Sequence, residues 1–73
     1  MGINLKIGSY VPREPKGYHI EYWYNRRERA WVVQVFDDLD SEHESEYCPN
    51  KAWRDSAIEN YCKMYSTRDV RKV

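Results

Sequence analysis

Residues 18–36 read YHIEYWYNRRERAWVVQVF, and this stretch decides the fold. The first seven residues alternate. Tyr18, Ile20, Tyr22 and Tyr24 fall on one face of an extended chain, and His19, Glu21 and Trp23 fall on the other. Aromatic and β-branched residues at a period of two are the signature of a strand. Residues 25–29 (NRRER) are a polar turn opening on Asn, and residues 30–36 (AWVVQVF) alternate again. Trp31, Val33 and Val35 point one way, and Val32, Gln34 and Phe36 the other. Folding the two strands about this turn sets Tyr22 near Val33 and Trp23 near Val32, so each face meets its like. A hairpin is the expectation.

Downstream, residues 37–41 (DDLDS) break the pattern and turn the chain. Residues 42–47 (EHESEY) alternate strictly, with Glu42, Glu44 and Glu46 on one side and His43, Ser45 and Tyr47 on the other. This segment is read as a short third strand at an edge, where its charges discourage pairing with other chains. Cys48-Pro49-Asn50 punctuates, and Asn50 is a good N-cap for a helix over 51–65. The expected inner stripe is Trp53, Ala57, Tyr61 and Met64 or Tyr65, widened by Ile58 and Cys62. Arg54, Asp55, Glu59 and Lys63 take the other side. The tail after Ser66-Thr67 (RDVRKV) is charged and is expected to fray. Upstream, Ile3, Leu5 and Ile7 allow a short N-terminal strand, and residues 8–17 (GSYVPREPKG) read as a loop.

The sum is a single α+β domain over residues 1–73: an antiparallel three-stranded β-meander, with or without an extra N-terminal strand, packed on one C-terminal α-helix. A chain of this length builds one small core, which leaves little room for a buried multi-group active site. No nucleophile, phosphate-loop or metalloprotease motif is present, so neither an enzyme nor a cofactor is expected. Twelve basic and twelve acidic residues cancel, which argues against a general nucleic-acid or membrane-surface binder. The longest uncharged apolar run, Ala30–Val33, is far short of the ~20 residues of a membrane helix. The first ten residues hold no apolar signal core. Cys48 and Cys62 are too few for a disulfide scaffold, so a cytoplasmic protein with two reduced thiols is the expectation, with a single bridge as the alternative.

Four clusters are candidates for function. The hairpin tip carries Arg26, Arg27 and Arg29 beside Trp23, Tyr24 and Trp31, a pairing of guanidinium groups and rings that suits phosphates and bases. Its plain alternative is a solvated turn, which Glu28 within the run favours. The segment 37–46 holds six of the twelve acidic residues: Asp37, Asp38, Asp40, Glu42, Glu44 and Glu46. It has the odd-residue spacing of a calcium loop, but His43 stands where the loop needs Gly and Pro49 where it needs Glu. A patch for a basic partner, or a solvated edge, remains. His19, His43, Cys48 and Cys62 could ligate zinc, but no paired spacing groups them, so no metal is expected. On the face away from Tyr22 and Val33, the residues Trp23, Val32 and Phe36 gather with His19 and Gln34. If the helix covers the Tyr22/Val33 side, this cluster is an apolar patch open to a partner or covered by residues 3–11. The two faces could also be exchanged.

The expected function is a non-enzymatic protein-binding module using that aromatic face and the charged hairpin and edge strand, with another protein or a second copy as partner. In size and style the chain resembles small phage and mobile-element proteins, including anti-CRISPR inhibitors that occupy a host protein's partner site. The alternative is a nucleic-acid-binding domain using the basic tip. The three-stranded sheet with one helix is similar in topology to the arm-binding domains of phage integrases, a likeness that no motif accompanies.

Overall fold

The computed structural model describes residues 15–73. The expected strand at Ile3, Leu5 and Ile7 lies outside the described residues, as does the proposed cover by residues 3–11. Five elements follow in order: β1 (Tyr18–Asn25), β2 (Ala30–Asp37), β3 (Glu42–Cys48), helix α1 (Lys51–Met64) and β4 (Val70–Lys72). The sheet order is β3-β2-β1-β4, with β1, β2 and β3 antiparallel and β4 parallel to β1.

The hairpin has the expected register: Tyr22 lies opposite Val33 and Trp23 opposite Val32. Its tip is closed locally. The Asn25 side-chain oxygen accepts the Glu28 N–H at 3.1 Å, and Arg29 takes the left-handed conformation (φ 55°) that brings the chain back into β2. Helix α1 opens as the sequence predicts, with the Asn50 Oδ1 accepting the Trp53 N–H at 2.8 Å. It packs on the Tyr22/Val33 face. Ile20, Val33, Val35, Cys48 and Ala57 form the buried core, with Tyr18, Tyr22, Trp31, Ile58, Tyr61, Cys62 and Tyr65 around it.

Three local expectations are corrected. First, the tail does not fray. Ser66 adopts φ 53° and the Thr67 N–H reaches the Cys62 carbonyl at 3.0 Å, the long closure of a Schellman cap. That cap turns the chain back along β1. Thr67 Oγ1 donates to the Tyr18 carbonyl at 2.7 Å, the Ile20 N–H donates to the Asp69 carbonyl at 2.8 Å, and the Val73 N–H to the Tyr22 carbonyl at 2.9 Å. A parallel strand needs only backbone groups on an open edge, so the charged side chains of Arg71 and Lys72 do not prevent it.

Second, β3 does not alternate strictly. Phe36 lies opposite Glu42 but Val35 opposite Glu44, so His43 is the extra residue of a β-bulge. A bulge reverses which side chains face which way. Glu42 therefore shares the outer face with Gln34, while Glu44 and Glu46 face the helix. His43 leaves the Tyr47 side and sits edge-on to Tyr18 (5.2 Å) and Tyr65 (6.0 Å), its Nε2 2.8 Å from Asp37 Oδ2.

Third, the helix is rotated relative to the expected stripe. Trp53 is 52% exposed and Met64 is also exposed, while Arg54 turns inward. Its guanidinium lies 4.4 Å from the centre of the Trp31 ring and 5.4 Å from that of Tyr22. Ala57 is the one helical residue fully buried. A small side chain there lets the helix approach the sheet closely.

Candidate protein-binding surfaces

The antiparallel strands carry the chain's two charge clusters to opposite ends of the sheet. Arg26, Arg27 and Arg29 cap one end of β2. Asp37, Asp38, Asp40 and Glu42 cap the other, about 26 Å away at ~3.3 Å per residue. The net charge of zero thus hides two separated poles of opposite sign.

At the basic pole all three arginines are exposed, and none forms an ion pair among the described residues. Tyr24 beside them is 46% exposed and sits edge-on to Trp31 at 5.2 Å.

At the acidic pole the residues differ in role. Asp37 is only 4% exposed. Its Oδ1 accepts the N–H groups of Leu39 (2.8 Å) and Ser41 (2.9 Å), and its Oδ2 meets His43. The His43 contact, then the Ser41 and Leu39 amides, hold its carboxyl below the usual carboxylate range against the opposing effect of burial. Asp37 therefore builds the turn and offers no carboxylate to a partner. Asp38 is exposed, although one of its oxygens accepts the Lys16 N–H at 3.1 Å. Asp40 is exposed at φ 64°, which Asp tolerates better than most residues. Glu44 lies away from this pole, under the helix.

The outer sheet face gathers Trp23 and Phe36 with His19 and Gln34 as expected, and adds Glu42, brought there by the bulge, and Tyr47, which is 53% exposed. Val32 lies among them but is 1% exposed, so it supports its neighbours and offers no surface of its own. The Trp23 indole N–H donates to Gln34 Oε1 at 2.9 Å, and Gln34 Nε2 donates to Glu42 Oε1 at 3.1 Å. His19 stacks on Phe36 at 5.7 Å and its Nε2 lies 2.8 Å from Glu21 Oε2. Among the described elements none packs on this face.

Sequence reasoning missed the ladder that joins β3 to the helix. Tyr65 Oη donates to Glu44 at 2.8 Å, Tyr61 Oη to Glu46 at 2.7 Å, and the Trp53 indole N–H to the other Glu46 oxygen at 2.7 Å. A signal existed. Two helical residues four apart span ~6 Å and two strand residues two apart span ~6.6 Å, so a Tyr-x-x-x-Tyr helix matches a Glu-x-Glu strand. Burial, and then the Glu46 hydrogen bond, push the Tyr61 phenol far above its ordinary value. The Glu44 hydrogen bond, followed by burial, raises Tyr65. Both phenols stay protonated and remain donors.

Cys48 and Cys62 are free thiols. Burial, then the Glu46 charge, push the Cys48 thiol up, which makes it a poor nucleophile. Among the described residues no group of three or more His, Cys, Asp or Glu is arranged to hold a metal ion, and no helix is long and apolar enough to cross a membrane. No protein family, curated protein or solved structure matches the chain.

Proposed function

We propose that the chain is a cytoplasmic, non-enzymatic protein-binding module that meets its partner with the outer sheet face, the two charged poles setting the orientation. An inhibitor that occupies another protein's partner site is one form such a module takes. The observation that supports this reading is the bonding of the face to itself. Trp23, Gln34 and Glu42 are linked in a row across three strands, and His19 is held between Phe36 and Glu21. Side chains already fixed lose less freedom on contact, and Trp and Tyr are common anchors of interfaces. The test is Trp23→Ala together with Tyr47→Ala, each checked by circular dichroism for an unchanged fold. Loss of a partner captured by the wild-type chain supports the reading. Capture that survives both substitutions refutes it. Sedimentation velocity shows whether the partner is a second copy.

A second reading rests on the basic pole: three exposed guanidinium groups without ion pairs, beside the half-exposed Tyr24. A nucleic-acid site there would bind random DNA or RNA at low salt and weaken steeply as salt rises. Arg26→Ala with Arg27→Ala would abolish the shift in a gel. No shift at low salt rules this reading out.

A further inference from the structure

We infer that β3 and the adjoining flank of helix α1 form a second site, which takes an extended, Lys- or Arg-rich peptide as an added strand. β3 is the outermost strand on its side. Among the described residues no backbone hydrogen bond joins it to anything but β2. Every second residue of such an edge turns its N–H and C=O outward, which is the template for strand addition. Beside that edge runs an open groove of about 530 Å³, bounded by Glu46 on the strand and by Asn50, Trp53, Ser56, Ala57 and Asn60 on the helix. These helical positions are three or four apart and so share one flank. An edge strand alongside a helix gives a peptide both a backbone ladder and a groove for every second side chain.

Trp53 is the anchor of this groove. Half of it is exposed, yet its indole N–H is fixed on Glu46. Its ring is therefore held in place with a face available to an aliphatic stem or a cation.

Charge selects the occupant. β3 carries Glu42, Glu44 and Glu46 and no Lys or Arg. The hydroxyl and indole donors on Glu44 and Glu46 are neutral groups, so they leave those negative charges uncompensated. A second copy pairing antiparallel through β3 would set these glutamates against their own counterparts, and like charges across a pair are unfavourable. A basic peptide meets the opposite sign along the whole edge.

This site adjoins the outer face at Glu42 and Tyr47 but uses the backbone edge and the helix-side groove and not Trp23 or Phe36, so Trp23→Ala distinguishes the two readings. The probe is a short fluorescein-labelled peptide alternating Lys with Val, followed by anisotropy and by amide chemical shifts of the 15N-labelled chain. The expected result is saturable binding, with shifts centred on residues 42–48, the Trp53 indole and the groove residues Asn50, Ser56, Ala57 and Asn60. Trp53→Ala weakens binding about tenfold, as loss of an anchor residue does. Ser56→Arg, an exposed change that suits a helix, fills the groove with positive charge and weakens binding by a similar factor. Trp23→Ala leaves it unchanged, and a peptide with Glu in place of Lys does not bind. The inference is overturned by absence of saturable binding, by shifts centred on Asp38 and Asp40 or on the outer face, by equal binding of the Glu peptide, or by no loss in both Trp53→Ala and Ser56→Arg.

Discussion

Arg54→Ala is expected to cost about 2 kcal/mol of stability, although the residue looks like an ordinary charge on a helix surface. Its guanidinium sits 4.4 Å above the Trp31 ring and 5.4 Å from that of Tyr22, and its side chain is 17% exposed. A cation over a ring contributes ~0.5–1 kcal/mol at exposed sites and ~2 where it is largely dry. The nearer contact here is mostly desolvated, so ~1–1.5 kcal/mol is reasonable, and the aliphatic stem lying along the core edge adds ~0.5–1. A domain of this length has a total stability of roughly 4–11 kcal/mol at ~0.05–0.15 kcal/mol per residue. The loss is therefore a large share, and at ~4–8 °C per kcal/mol it lowers Tm by about 8–16 °C. Arg54→Met keeps the stem and gives up the charge, so it falls between. Arg54 also pairs with Asp55 at 2.8 Å, but Asp55 is largely exposed, and exposed pairs contribute ~0–1 kcal/mol. Asp55→Ala separates the two interactions in thermal melts followed by circular dichroism. If Arg54→Ala melts within about 2 °C of wild type, or no lower than Asp55→Ala, the ring contact does not hold the helix on the sheet and the reasoning fails.

Acid should expose the role of Asp37. Its folded carboxyl titrates below its ordinary value, so the stability it contributes is present above ~pH 4 and is lost as pH falls through the lowered value. Urea midpoints measured from pH 7 to pH 2 should therefore fall less steeply at the acid end for Asp37→Asn than for wild type. Ser66→Gly should stabilise the chain by ~0.5–1 kcal/mol, because glycine relieves the φ of 53° at the helix end; a lower urea midpoint would contradict the cap. The Val73 amide, bonded to the Tyr22 carbonyl, should exchange with solvent more slowly than an unstructured terminus. Exchange at the unstructured rate would show that β4 is not formed in solution.

The helix Lys51–Met64 and its Asn50 cap were legible because each rests on neighbours within a turn or two. So was the hairpin, whose two alternating runs lie side by side in the chain. The candidate surfaces were legible in part. Trp23, Val32 and Phe36 do share a face with His19 and Gln34, but Glu42 joins them only through the bulge, and Asp37 and Glu44 are engaged inside the fold, as turn organiser and as acceptor for Tyr65.

What the sequence determined by itself is therefore the α+β order and the hairpin register, while the face the helix covers was left open until the packing of Ala57 on Ile20, Val33 and Val35 decided it. The order and the register follow from periodicities of two and of about 3.6 residues, which physical chemistry reads locally. Tertiary structure alone decided the bulge at His43, the inward Arg54, the outward Trp53, the Tyr–Glu ladder and the fourth strand. Each of these depends on a group far along the chain: Tyr61 meets Glu46 across 15 residues, Tyr65 meets Glu44 across 21, and Thr67 meets Tyr18 across 49. A residue's own neighbours carry no record of such a partner. That is why the charged tail reads as frayed until the open edge of β1 lies beside it.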